Sequence, residues 1–352
     1  MALMFVAENR VVSLADPVVV LPEAPCDWKQ IVQPLEPFLQ AVAERLAEQV
    51  QAFDADLACY AGYALTGQGK QLRPALVGLS AGATGGIKDD HVTVAAIIEM
   101  VHLATLVHDD VNDEATVRRG RPTLAANWGN ELSVLLGDCL FAHALKLAAS
   151  FPTPDICRAV AFATNTVCAG EIVQTRQRCN FGISRADYYK VLAMKTGELF
   201  ALSCDLGAYL NGAPEAQRKA LREYGLALGT AYQIYDDCLD LFGTEETTGK
   251  SLGTDLAQGK LTLPLLMVLE QADPSAREKL KTLVRDWRPL YFPQVLALLR
   301  RFSVLEQSQI IVRQYVQAAR QVLDVLPDSP SRLALQRLSE VLARQTEGLG
   351  AV

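Results

Sequence analysis

The chain has 352 residues, half of them hydrophobic and only 7% aromatic, an Ala- and Leu-rich composition that favours helix over sheet. A formal net charge of −7 and a pI near 5.3 exclude general affinity for nucleic acid or anionic lipid as an organising principle. Any anionic ligand must be held by local basic groups or by metal.

Residues 1–27 read as an N-terminal leader. It contains Val and Pro, lacks a basic n-region and carries Glu8 and Asp16, so it is a poor secretory signal. From 28 to 352 helix-period patterns run without an interdomain linker, which predicts a single domain. "IVQPLEPFLQAVAERLAEQVQAF" repeats apolar residues every three or four positions. "RPALVGLSAGA", "HVTVAAIIEMVHLATLVHDDV" and "ELSVLLGDCLFAHALKLAAS" follow after Gly-rich or charged breaks. Similar runs cover 155–178, 185–211, 215–242, 261–271 and 292–346, with turns at "NGAPEA" and "ADPSA". Convincing period-two strands are absent. The expected fold is an all-α, single-domain bundle of ten or more helices. No run of about 18 uncharged apolar residues occurs. Glu99 and His102 interrupt the best one, so no transmembrane segment is expected. The eight cysteines are scattered without a C-x-x-C pair, which predicts reduced thiols in a cytoplasmic compartment.

In "LVHDDVNDEATVRRGRPT", Asp109, Asp110 and Asp113 close a nearly uncharged apolar helix. The helix dipole disfavours negative charge at that end, so something must compensate. At about 100° per residue, His102, Asp109 and Asp113 fall on one stripe. "AYQIYDDCLDLFG" repeats the D-D-x-x-D spacing with Asp236, Asp237 and Asp240. One such cluster reads as a solvated acidic surface. Two copies on buried-type helices point to Mg²⁺, which takes a few carboxylates, waters and phosphate oxygens. Neither copy has the spaced ligands and central Gly of an EF-hand loop. Facing each other, the clusters could hold a diphosphate through bridging metals.

The basic complement is present. Lys70 and Arg73 open a helix, where backbone N–H groups also favour anions. Arg118 and Arg119 trail the first acidic cluster, Lys195 sits in "AMKTGELF", and Lys250 and Lys260 lie ten apart in a glycine-bearing loop. Each alone reads as a surface cation; together they read as anion clamps for two phosphorylated substrates. His91, His108 and His143 read as structural.

These motifs resemble those of trans-isoprenyl diphosphate synthases over residues 67 to 265. "HDDVNDEATVRRG" resembles the first aspartate-rich motif, "YQIYDDCLD" the second, and "GEIVQ" (Gly170 to Gln174) a further signature. The G-G-K-R-L-R-P of that family is here Gln68-Gly69-Lys70-Gln71-Leu72-Arg73-Pro74. The resemblance implies the isoprenoid synthase fold, with helices around a central apolar cavity, and a homodimer. It implies that Asp109, Asp110, Asp113, Asp236, Asp237 and Asp240 bind three Mg²⁺ and the allylic diphosphate. Lys70, Arg73, His102 and Arg119 would hold isopentenyl diphosphate. Arg118, Lys195, Lys250 and Lys260 would contact the allylic diphosphate, with Gln233 and Thr196 lining the site.

Catalysis, head-to-tail condensation through an allylic carbocation, would then fall to Asp109, Asp113, Arg118, Lys195, Thr196, Gln233 and Asp236. Apolar helices around a charged mouth would keep water from the cation. Ala104 and Thr105, about one helical turn before Asp109, are expected to set chain length. Short-product members tend to carry an aromatic there, so these small residues point to C20 or longer, with C30 to C50 in range and Phe141 as a candidate lower block. A class I terpene synthase would carry an N-D-x-x-S-x-x-x-E-like second site, and a non-catalytic subunit usually loses one acidic motif. Both acidic motifs survive here.

Overall fold

Apolar residues at three- and four-residue spacing wind most of the chain into helix. The structure, a computed structural model, describes residues 27–65, 69–245 and 251–350. The helices are α1 (Trp28–Val32), α2 (Glu36–Gln51), α3 (Ala55–Leu65), α4 (Leu72–Thr84), α5 (Asp89–Asn112), α6 (Leu124–Trp128), α7 (Asn130–Ala148) and α8 (Asp155–Arg176). They continue with α9 (Arg185–Leu192), α10 (Glu198–Tyr209), α11 (Glu215–Phe242), α12 (Thr254–Ala257), α13 (Leu263–Gln271), α14 (Pro274–Arg285), α15 (Phe292–Arg301), α16 (Val304–Val322) and α17 (Pro330–Glu347). A π-helical turn, Ala193–Gly197, joins α9 to α10. Among the described residues the only sheet is a small hairpin, Val117–Arg118 against Arg121–Pro122. The expected leader lies outside the described residues except for Asp27, whose side chain caps α1.

Two apolar cores share a wall. One gathers Ile97, Met100 and Leu103 of α5 with Phe38, Leu136, Leu140 and Val160. The other gathers Leu221, Leu228 and Ile234 of α11 with Leu265, Val295, Val312 and Leu335 of the C-terminal helices. Helix α10 faces both: Leu199, Leu202 and Leu206 join the first core, and Phe200, Cys204 and Ala208 the second. It lies close against α4, since a Cβ on Gly207 would come within 2.6 Å of the Val77 carbonyl oxygen. The two acidic helices, α5 and α11, are thereby held on either side of one rigid element.

The sequence pattern passes over α3 and α14. In α14 a proper helical stripe (Ala276, Leu280, Leu283, Val284) is buried, but the charged remainder masks it. "ADPSA", which reads as a turn, is its N-terminus: Asp273 accepts from the Ala276 N–H at 3.0 Å, and Pro274 takes the first position. The run over 292–346 is three helices, broken at left-handed Ser303 (φ 48) and before Pro330.

Two described helices, α5 and α8, are long and apolar enough to cross a membrane by length and composition, where none was expected from sequence. Glu99 and His102 do not outweigh their apolar neighbours in α5. That helix is mostly buried in the core, whereas α8 turns Phe162 and Ile172 outward. The seven cysteines among the described residues are free thiols. His91 is buried between the Lys88 N–H and the Gly207 carbonyl, and His143 meets Gln49 and stacks on Phe53. Both rings are engaged by neighbouring groups of the fold.

Candidate active site

Helix α5 ends with Asp113 as its C-cap and Glu114 left-handed at φ 51. Its three carboxylates stand among the helix carbonyl ends, and each meets a cation. Buried Asp110 accepts from Arg118 Nε at 2.6 Å; burial pushes its pKa up, against the pull of that guanidinium. Asp113 lies 3.2 Å from Lys260 Nζ and accepts from Arg178 Nη2 at 3.1 Å. Asp109 Oδ2 is 4.0 Å from Lys195 Nζ. Burial alone would lower the Lys195 pKa, but Asp109 and Glu171 outweigh it and hold the ammonium above its ordinary value.

The second cluster lies on α11. Asp237 is buried, with Tyr188 donating to Oδ2 at 2.6 Å and Gln233 Nε2 donating to Oδ1 at 2.9 Å. Burial, with Asp255 adding to it, pushes Asp237 up to about 8, while these two donors favour the carboxylate. The other end of Gln233, Oε1, accepts from the Thr196 hydroxyl at 2.8 Å. Asp240 anchors the start of α12, accepting from Thr254 N, Thr254 Oγ1 and Asp255 N at 3.2, 2.7 and 3.1 Å. Asp236, one turn before Asp240, is partly exposed. Among the described residues no three acidic, His or Cys side chains close on one point as an all-protein metal cage. Carboxylates spread over two helices are the donor set Mg²⁺ accepts when waters and phosphate oxygens complete its octahedron.

Beside this mouth lies a cationic pocket. Arg119 (φ 52) and Gly120 (φ 72) are both left-handed and form the turn of the hairpin. This turn sends neighbouring side chains apart, Arg118 to Asp110 and Arg119 to Gly69. A Cβ on Gly69 would lie 2.6 Å from Arg119 Nη1, so any side chain there would push the guanidinium aside. Arg73 lies 5.1 Å above the Phe200 ring, and its buried Nε has no hydrogen-bond partner. Burial lowers the Arg73 pKa, with Glu99 opposing. Burial first, then Arg73 and Arg119, push His102 well below its ordinary value, so its ring is neutral. Lys70 lines a small apolar cavity with Phe200 and Tyr232. Lys250 lies outside the described residues.

Comparison with known proteins shows the family. Residues 55–289 match the model of the polyprenyl synthetase family. The chain belongs to that family. It is 35% identical to heptaprenyl diphosphate synthase component 2 of Bacillus subtilis over 86% of this chain and 87% of that one. It is 34% identical to the octaprenyl diphosphate synthase of Escherichia coli over 87% of this chain and 94% of that one. A polyprenyl synthase of Caulobacter crescentus, solved with calcium and isoprenyl diphosphate, superposes with a TM-score of 0.86 at 31% identity, covering 92% of this chain and 99% of that one. The protein is a polyprenyl diphosphate synthase, a trans-prenyltransferase of the all-α isoprenoid synthase fold.

For this polyprenyl synthase the structure explains residues that sequence reasoning left without a role. In "GEIVQ", Gly170 lets α8 approach the Lys195 backbone, with a Cβ 3.0 Å from Lys195 N. Glu171 pairs with Lys195 Nζ at 2.6 Å, and Gln174 accepts from it at 3.1 Å. The signature is the socket of Lys195. Arg178, bound to Asp113, carried no sequence signal. Ala104 and Thr105 are buried in the α5 core, and the Thr105 hydroxyl turns back to the His102 carbonyl at 2.7 Å. One turn further on, His108 meets the edge of Phe141 with ring centroids 5.6 Å apart, and its Nε2 lies 3.0 Å from the Val134 carbonyl.

Proposed function

We propose that this polyprenyl diphosphate synthase condenses isopentenyl diphosphate head-to-tail with an allylic diphosphate in a Mg²⁺-dependent reaction, releasing a chain of C20 or longer. One arrangement supports the reading: Lys195 and Lys260 reach the carboxylates that end α5, and Arg73 and Arg119 gather about His102 on the same helix. Mg²⁺, three per site by family resemblance, supplies charge neutralisation of the allylic diphosphate as a leaving group. Asp109, Asp113 and Asp236 would hold it; Asp110, Asp237 and Asp240, engaged by protein donors, fix the shape of the mouth.

Lys195, Lys260, Lys250 and Arg118 meet the allylic diphosphate, while Lys70, Arg73, Arg119 and neutral His102 clamp isopentenyl diphosphate. As the allylic C–O bond breaks, the electron pair leaves with diphosphate. The carbocation is stabilised by the oxygens of Gln233 and Thr196 without covalent capture. The isopentenyl double bond attacks it, and a proton is lost to the departing diphosphate, regenerating an allylic product. The outward apolar residues Val134 and Leu135 of α7, with Phe162 and Ile172 of α8, support a homodimer joined through these helices. Free thiols suit the cytoplasm.

The test is incubation with Mg²⁺, isopentenyl diphosphate and each allylic primer, followed by chromatography. Elongation that EDTA abolishes supports the reading. No elongation with any primer overturns it and favours a subunit that acts only by binding.

A further inference from the structure

We propose that Tyr188 is a positioning residue for the condensation: through Asp237 and Gln233 it fixes the direction of the Thr196 hydroxyl. The proposal rests on the reading above, in which Thr196 and Gln233 border the developing cation. Four side chains form one line of hydrogen bonds, Tyr188 to Asp237 at 2.6 Å, Gln233 to Asp237 at 2.9 Å and Thr196 to Gln233 at 2.8 Å. The line has a polarity. Tyr188 holds Asp237 Oδ2, which leaves Oδ1 as the acceptor of the NH₂ end of Gln233. The Gln233 carbonyl is then turned to Thr196 and takes its hydroxyl proton. With that proton engaged, only lone pairs of Thr196 Oγ1 remain to face the reacting carbons, the polarity that stabilises a cation.

Tyr188 is the end stop of this line. It is 5% exposed, and its ring packs against Tyr189 with centroids 5.4 Å apart. Tyr188 sits on α9 and Thr196 on the π-helical turn that continues it, while Asp237 and Gln233 sit on α11. The relay therefore closes a ring between two helices, and a shift of either one breaks it. Without the phenol, Asp237 keeps one side-chain donor and is freer to rotate. Gln233 can then turn its amide over, and Thr196 can swing its proton into the site. Such a loss weakens an interaction made in the transition state and leaves substrate binding alone.

The experiment is a double-mutant cycle on the full chain with Tyr188→Phe, Thr196→Val and the pair, reading kcat, both KM values and the thermal midpoint. Tyr188→Phe is expected to lower kcat about tenfold with both KM values within about twofold. The pair is expected to be no slower than Thr196→Val alone, because both changes remove the same effect. A wild-type kcat in Tyr188→Phe, or effects that multiply in the pair, overturns the proposal. So does a loss confined to a lowered midpoint and raised KM values, which marks plain packing. If Tyr188→Phe does not fold, Asp237→Asn replaces it in the same cycle with the same two expectations. A wild-type enzyme that elongates no primer overturns the function reading and this proposal with it. An active wild type with a multiplicative cycle overturns this proposal alone.

Discussion

Replacing Arg118 with Ala leaves the Asp110 carboxylate, only 5% exposed, without the guanidinium 2.6 Å away. Losing a charge-assisted hydrogen bond costs at least about 1.5 kcal/mol. The loss also has a ceiling, because Asp110 can escape by protonating. Neutralising a carboxyl of ordinary pKa 3.8 at pH 7 costs about 4 kcal/mol, at 1.36 per unit. Burial already pushes Asp110 upward, which lowers that ceiling, and Arg118 is 36% exposed, so water softens the pair. The expected destabilisation is about 2 kcal/mol. Chemical denaturation of Arg118→Ala, Asp110→Asn and the pair, in EDTA buffer, measures it. Asp110→Asn removes the stranded charge, so the pair should recover more than half of the loss. A double variant no more stable than Arg118→Ala would show that charge stranding is not what the arginine prevents.

Ala104→Tyr should shorten the product by placing a ring on the path below Asp109, and an unchanged product ladder would defeat the floor argument. Gly69→Ala should raise KM for isopentenyl diphosphate several-fold by displacing Arg119, whose Nη1 would lie 2.6 Å from the new Cβ; an equal rise in KM for the primer would reject that assignment. His102 supplies the pH test. Its folded pKa is depressed, so below about 6.5 the unfolded chain binds a proton that the folded chain refuses. Stability should therefore fall with pH below that point, by up to about 1.4 kcal/mol per pH unit. His102→Asn should lose this part of the slope between pH 6.5 and 5.5, and identical slopes in melting profiles would contradict the burial argument.

The acidic motifs were legible because carboxylates at a helix C-terminus are electrostatically anomalous, and the anomaly recurs at fixed spacing. That anomaly called for compensation, and the structure supplies part of it from Arg118, which the sequence had pointed only toward a diphosphate. What spacing does not convey is which carboxylates turn inward. Asp110, Asp237 and Asp240 looked equivalent to their neighbours, yet each is engaged by protein donors supplied from elsewhere in the chain: Arg118, Tyr188 with Gln233, and Thr254 with Asp255. Arg178 escaped notice because its partner, Asp113, is 65 residues away. Helix α14 escaped because period is hard to see when charged residues fill the exposed face. The parting of Arg118 from Arg119 needs the left-handed backbone at Arg119, a non-glycine position where sequence gives no warning.

The π-helical turn at Ala193–Gly197 holds one more residue than an α-turn would. Straightening that turn into α-helix with all its residues kept would rotate everything downstream by about 100°. Leu199, Leu202 and Leu206 would then leave one core, and Phe200 and Cys204 the other. The unusual turn is thus kept in register by two hydrophobic cores. Lys195 and Thr196 owe their aim to greasy residues one to three turns away, and any drift of the active-site backbone toward ordinary helix would be felt first as unfolding.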